Sequence, residues 1–306
     1  MAGERVPHHP AVVTTRPSPR PARRSKSRWL PWATLMLPSA LLLVPFFFAP
    51  LAIMLVYSFH RFIPGGRQEP ALILDNYWRF VSDSFYRGIL VDTLLMGAAV
   101  TGLALVLSYP LAYTLARSRS RWKGLLTVIV LIPLMTSVVV RSYGWMILLA
   151  NNGVINTLLA ALQLPRTQLM FNFTGTVIGL TEVLMPFMVL TLSGVIQQID
   201  PDLEDSVRSL GGGSWHVFRD VILPLSLPGV AAGSLLVFVL SVSAFATPKL
   251  IGGARTKVMA TIVYDQATAV LNWPFAAACS FILIALVLGL TILQGRLLAA
   301  TRAWVK

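Results

Sequence analysis

Four stretches of this chain, Leu30 to Phe59, Thr93 to Ala116, Val221 to Pro248 and Gln266 to Gly295, contain no Asp, Glu, Lys or Arg at all. Two more carry one charge each: Gly124 to Leu149 holds Arg141, and Phe171 to Ile199 holds Glu182. A hydrocarbon layer about 30 Å thick is crossed by about 20 residues of apolar helix, so each stretch is long enough to span it. Sheet is excluded for them, because lipid cannot satisfy the hydrogen bonds of an open strand edge. An all-α membrane protein with six transmembrane helices follows. Pro38, Pro45, Pro50, Pro110, Pro133 and Pro186 fall inside the stretches and predict kinks.

Composition agrees. Of the 306 residues, 56% are hydrophobic and 12% charged, where a soluble domain would have roughly a quarter charged. A single cysteine, Cys279, rules out an internal disulfide framework, and its apolar surroundings make it a small packed hydrophobe. No Cys/His spacing marks a metal site, and no cofactor is expected.

Charge sets the direction of the spans. Arg5, Arg16, Arg20, Arg23, Arg24, Lys26 and Arg28 precede the first span, and Arg117, Arg119, Arg121 and Lys123 fill the connection between the second and third. The positive-inside rule puts both segments in the cytoplasm, and six crossings return the C-terminus there. The first connection is also basic, with Arg61, Arg67, Arg79 and Arg87 accompanied by Glu69, Asp75 and Asp83. The net charge of +13 is thus a signature of topology and anionic membrane lipid, not of a nucleic-acid partner. Residues 1–28, rich in Pro, Arg and Ser, read as a disordered basic arm. Residues 29–59 read as the first transmembrane helix, too long an apolar run for a signal peptide.

The longest cytoplasmic insertion is IDPDLEDSVRSLGGGSWHVFRDVILPLSLPG, from Ile199. Asp200 suits an N-cap, Pro201 the first helical position, and Asp202 and Glu204 the positive end of the dipole. Leu203, Val207 and Leu210 recur at helical spacing as an apolar stripe. Gly211 supplies the positive φ that ends such a helix. Ser214 is placed to cap a second short helix carrying Val217, Phe218, Val221 and Ile222, which must stop near Pro224. Helix, glycine turn and helix together suit either docking into a groove on a soluble partner or lying on lipid as an amphipathic connector.

This segment resembles the signature cytoplasmic loop of type I ABC importer permeases: Glu-Ala-Ala, three residues, Gly, nine residues, Ile-x-Leu-Pro. On that register Asp205, Ser206 and Val207 stand for Glu-Ala-Ala, Gly211 is the glycine, and Val221, Leu223 and Pro224 close the pattern. Leu203, Glu204 and Arg208 lie within the same loop. Asp205 keeps the acid one methylene shorter, and Ser206 and Val207 replace alanines. DNYWRF, SYPLAYTLAR, VVVRSYGWMILLANNGVINTLL, MPFMVL, PGVAAGSLLVFVLSVSAFATPKLIGG and NWPFAAA are similar to the spermidine/putrescine subgroup.

The resemblance implies the type I permease fold, a core of five helices plus one peripheral N-terminal helix. The core would run over residues 90–297, with a coupling loop at 199–224. It also implies a second permease chain, two ATP-binding subunits and a periplasmic solute-binding protein, in the inner membrane. The chain holds no GxxxxGK[ST] phosphate loop, so ATP hydrolysis falls to a partner. A polyamine is the implied solute, with phosphonates and opines among the solutes of related permeases.

Glu182 and Arg141 both lie about 12 to 16 Å below the outer end of their spans at 1.5 Å per residue. Ionisable groups at such depth face protein or water. They form either an ion pair locking two helices or part of a pathway in which Glu182 meets a cationic substrate. Tyr143 and Trp145 offer cation–π faces or act as interfacial anchors. A secondary transporter would show paired repeats, and a membrane enzyme a nucleophile, metal or acid/base constellation; the sequence has neither pattern.

Overall fold

The computed structural model describes residues 30–303 apart from 66, 119 and 120. The basic arm at 1–28 lies outside the described residues. Two units divide the chain, 1–51 and 52–306. The described part of the first is helix: α1, Leu30–Ser58, starts in it and runs unbroken through Pro38, Pro45 and Pro50.

The second unit opens on the last turns of α1, followed by a two-stranded antiparallel hairpin, Arg61–Ile63 with Arg67–Glu69, which the hydropathy pattern does not foretell. Helix α2, Asp75–Ser82, follows, and Asn76 ties it down by donating to the carbonyls of Ser58 and His60, both at 2.9 Å. Then come α3, Ser84–Arg117, and α4, Lys123–Met135. Next are α5, Val138–Leu149, and α6, Val154–Ala161. Helix α7, Phe173–Ile196, leads to the short α8, Pro201–Ser209. Beyond it are α9, Ser214–His216, a π-helical segment Val217–Ile222, and α10, Leu223–Val242. A second π-helical segment, Pro248–Gly252, precedes α11, Met259–Thr268, and α12, Trp273–Ala303.

Among the described residues six helical stretches are long and apolar enough to cross a membrane, as the sequence predicts, but four begin or break elsewhere, the second starting at Ser84 and not Thr93. The expected third span, Gly124 to Leu149, is cut between α4 and α5. Pro133 removes a donor from the last turn of α4. Thr136 then turns extended (ψ 138°), its N–H reaching back only to the Pro133 carbonyl and its hydroxyl donating to the Ile132 carbonyl. Such side-chain competition ends helices. The stretch that qualifies by length and apolarity is Val138–Ala161, itself broken by a turn at 150–153 between α5 and α6, with α4 as a shorter apolar helix. The α4–α5 direction is unchanged: Val130 and Pro133 lie beside Met185, Pro186 and Val189 in the second half of α7, and Arg141 beside Glu182 in its first half.

The helix expected to stop near Pro224 does not stop. Leu223 donates to the carbonyl of Phe218, five residues back, and this widened π turn shifts the register by one so that Pro224 enters without breaking the rod. The cap of that helix is Gly213, not Ser214, which is its first residue. The sixth span starts at Trp273 and not Gln266: Leu271 takes a positive φ of 59°, and the Asn272 side chain accepts the Phe275 N–H at 3.1 Å, an N-cap.

The core lies where α3, α7 and α10 meet. Met96, Val100 and Ala104 of α3, Leu184, Met188 and Leu192 of α7, and Val237 of α10 share one buried cluster. Lipid tails are as apolar as leucine, so burial alone does not drive such helices together; close approach of backbones does. Gly229 and Gly233, four apart on α10, supply it. A Cβ on Gly229 would stand 2.8 Å from Val195 Cβ, and one on Gly233 2.7 Å from the Met188 sulfur.

Candidate functional site

The loop between α7 and α10 folds from its own residues. Asp200 caps α8 by accepting the Asp202 N–H at 3.0 Å. At the other end Gly211 stands at φ 87°. Its N–H reaches the Arg208 carbonyl at 3.0 Å, and the Gly212 N–H reaches the Val207 carbonyl at 2.9 Å. That pair of bonds is a complete Schellman closure, which satisfies carbonyls that the helix end would otherwise leave open.

The apolar stripe expected on α8 is divided. Val207 packs inward with Phe218 against Ile199, Val217, Val221 and Ile222. Leu203 and Leu210 point out, 46% and 90% exposed, and Trp215 beyond the turn is 66% exposed. Asp205, Ser206, Leu223 and Pro224 are exposed as well. Arg208 reaches Asp205 at 3.1 Å. Leu203, Leu210 and Asp205 thus lie exposed between the fourth span and the fifth, which begins at Ser214 and takes in Trp215.

Glu204 is the exception, 4% exposed on a helix whose other carboxylates face water. Arg117, the last residue of α3, brings its Nε to 2.6 Å from Glu204 Oε1. The Tyr113 hydroxyl donates to Glu204 Oε2 at 3.0 Å, and Arg208 Nη2 stands 3.7 Å from the same oxygen. Arg117 also donates from Nη2 to the Ile199 carbonyl at 2.9 Å. In the sequence Arg117 is one of the charges that set topology, and Tyr113 carries no mark of its own. The signal was present in their spacing, since residues four apart at the end of a helix share a face.

The second candidate site lies in the spans. Arg141 Nη1 meets Glu182 Oε1 at 3.2 Å, with the side chains 12% and 31% exposed, and the Trp145 indole N–H donates to Glu182 Oε2 at 3.2 Å. Arg141 and Trp145 are i and i+4 on α5, hence on one face; Tyr143, between them, points the other way. Tyr143 is 54% exposed and lines a separate surface hollow with Met146, Ile147 and Asn152. Arg141 borders a cavity of about 330 Å³ with Phe187 and Phe245. Glu182 borders another of about 220 Å³ with Pro133 and Pro186.

Residues 104–303 match the family described as binding-protein-dependent transport system inner membrane component. The chain is 34% identical over 253 residues to the spermidine/putrescine transport system permease protein PotB of Escherichia coli (strain K12), across 82% of this chain and 91% of that one. It is also 34% identical over 253 residues to PotB of Salmonella typhimurium (strain SL1344), across 82% and 88%. In three dimensions it superimposes on a chain of the bacterial alginate ABC transporter solved in complex with an alginate pentasaccharide-bound periplasmic protein. The TM-score there is 0.69 at 18% identity, covering 87% of this chain and 92% of that one, a likeness of fold. Matched over most of its spans by the family and by relatives at 34% identity, this chain belongs to the binding-protein-dependent transport system inner membrane components and is a permease subunit of an ABC importer.

Proposed function

We propose that this subunit passes a small polycation of the spermidine/putrescine class across the inner membrane. The solute would be delivered by a periplasmic binding protein, with a second permease chain beside this one and two ATP-binding subunits beneath. The solute class rests on what the relatives are named for. The coupling rests on one observation, the capped α8 and its glycine turn, which carry Leu203 and Leu210 exposed between the fourth and fifth spans. Apolar anchors of this size on a capped helix suit a groove on a folded partner better than isolated surface positions do. The permease core runs over 90–297, with its coupling loop at 199–224 and both termini in the cytoplasm.

Leu203, Asp205, Ser206, Arg208 and Gly211 form the part of the loop that meets the ATP-binding subunit, and Val207, Val221, Leu223 and Pro224 fix its base. Within the spans Arg141, Glu182 and Trp145 lock α5 to α7, and the open edge of Glu182 is the group a passing cation meets. Tyr143, on the opposite face of α5, is an interfacial anchor at the mouth of the path.

The test is purification of the chain from its native membrane, followed by reconstitution in vesicles. An ATP-binding subunit and a second permease should accompany it, and ATP together with the loaded binding protein should drive uptake of labelled spermidine. Uptake indifferent to ATP would overturn the importer reading. ATP-driven uptake of a phosphonate or opine, with none of spermidine, would overturn the solute.

A further inference from the structure

Glu204 is held as an acid needs to be held when force is to pass through it, and this rests on the reading of the loop as the ATPase-docking element. The carboxylate is 4% exposed and receives Arg117 at 2.6 Å, the Tyr113 hydroxyl at 3.0 Å and Arg208 at 3.7 Å. Burying a carboxylate is costly unless it is paired and hydrogen-bonded, so a surface helix would ordinarily turn this residue to water, as α8 does with Asp202 and Asp205. Here the helix is rotated to bring it inward. Both main partners, Tyr113 and Arg117, belong to the last turn of α3. The same Arg117 grips the Ile199 carbonyl at 2.9 Å, so one guanidinium holds the loop at its root and on its helix.

Helix α3 is not a bystander, since Met96, Val100, Ala104 and Ala112 on it lie in the central cluster with α7 and α10. We infer that Glu204 is a positioning residue, and that the Arg117–Glu204–Tyr113 cluster is a rigid joint through which displacement of α8 by the ATP-binding subunit is passed into α3. Without the joint, the inner face of α8 keeps the apolar contacts of Val207. Those contacts are non-directional and let the helix slide. The close Arg117–Glu204 ion pair and the Tyr113 hydrogen bond together hold α8 at two points on one carboxylate.

The experiment uses the assembled transporter and three variants. Glu204→Gln keeps the shape of the side chain and removes its charge; Arg117→Glu combined with Glu204→Arg restores the pair reversed. Leu210→Asp, on the exposed side of the turn, tests docking itself. Glu204→Gln should still purify with the ATP-binding subunit, while the ratio of substrate-stimulated to unstimulated hydrolysis, and uptake with it, falls about tenfold, the worth of one charged hydrogen bond. The reversed pair should recover most of that ratio even where the single variant accumulates poorly, which a purely local packing role would not produce. Leu210→Asp should lose the ATP-binding subunit on purification.

If Glu204→Gln stimulates and transports at the parental level while Leu210→Asp has lost its partner, the docking reading stands and the joint is wrong. A reversed pair no better than Glu204→Gln would also overturn the joint. Retention of the partner by Leu210→Asp would instead remove the docking reading beneath it.

Discussion

At the scale of single residues, the ionisable groups inside the spans carry the sharpest consequences. Glu182 has two donors, Arg141 at 3.2 Å and the Trp145 indole at 3.2 Å. Replacing it by Gln leaves Arg141 buried at 12% exposure without a counter-charge. Removing one partner of a buried pair costs about 3–5 kcal/mol, and the lower figure applies where one side chain keeps contact with solvent, as Glu182 does. Glu182→Gln should therefore lower the melting temperature, and Arg141→Gln added to it should recover much of the loss. The double-mutant cycle isolates that coupling.

Uptake read on the same four proteins tests the second assignment. Transport by the double variant should stay depressed after stability returns, because the carboxylate edge facing the cation is still missing. Full recovery of uptake would leave Glu182 a lock and nothing more. Both charges were legible in the sequence, because a charge in an apolar run is conspicuous. The pairing of Glu182 with Trp145 over Tyr143 was not. It depends on α5 being a separate helix whose rotation α7 and the Pro248–Gly252 segment decide.

At the scale of elements, the short loop was more legible than the long spans. Asp200, Pro201 and Gly211 fix the limits of α8 through local chemistry, and the structure places the N-cap bond and the φ of 87° where that chemistry predicts them. The spans are written in a coarser code. Apolarity says that a helix lies in lipid, yet says little about where it is cut. The break after Pro133, the π turn before Pro224 and the start at Asn272 each depend on individual hydrogen bonds that hydropathy averages away.

Two predictions follow at this scale. In Gly211→Val the turn must carry a β-branched residue at positive φ, at a cost of about 1–2 kcal/mol. The spans are untouched, so the protein should insert normally while uptake and substrate-stimulated ATP hydrolysis fall together. Normal uptake would reduce the loop to a connector. Gly233→Leu acts on the crossing of α10 with α7, where even a Cβ would come within 2.7 Å of the Met188 sulfur. Overpacking there should cost about 1–3 kcal/mol. Gly289→Leu, at a glycine of α12 with nothing within 4 Å, should leave the melting temperature close to its starting value. Equal tolerance of the two would deny the close approach.

On the scale of the whole molecule, the contacts within residues 52–306 fix which ends of the helices lie together, and charge then says which side of the membrane that is. The ends of α3 and α7 meet through Arg117 and the Ile199 carbonyl. The start of α10 joins them, with Ser226 at 2.6 Å from the Tyr109 hydroxyl. At the opposite end the Phe171 N–H bonds the Ile251 carbonyl, and the Met259 N–H bonds the Thr93 hydroxyl at 2.9 Å. Helices α3 and α7 therefore run the same way and α10 runs against them. Arg117, Arg121 and Lys123 all belong to the first end, for which the positive-inside rule predicts a cytoplasmic location.

Single cysteines at Asn152, Ala254 and Ser214 test the assignment in sealed cells with an impermeant thiol reagent. All three positions are exposed, while the native Cys279 is buried and should stay silent. Asn152→Cys and Ala254→Cys should label from outside, and Ser214→Cys only after the membrane is opened. The reverse pattern would put α8 and its exposed Leu210 in the periplasm, where no ATP-binding subunit could reach them. The coupling loop and the joint at Glu204 would then fail together, whatever the spans transport.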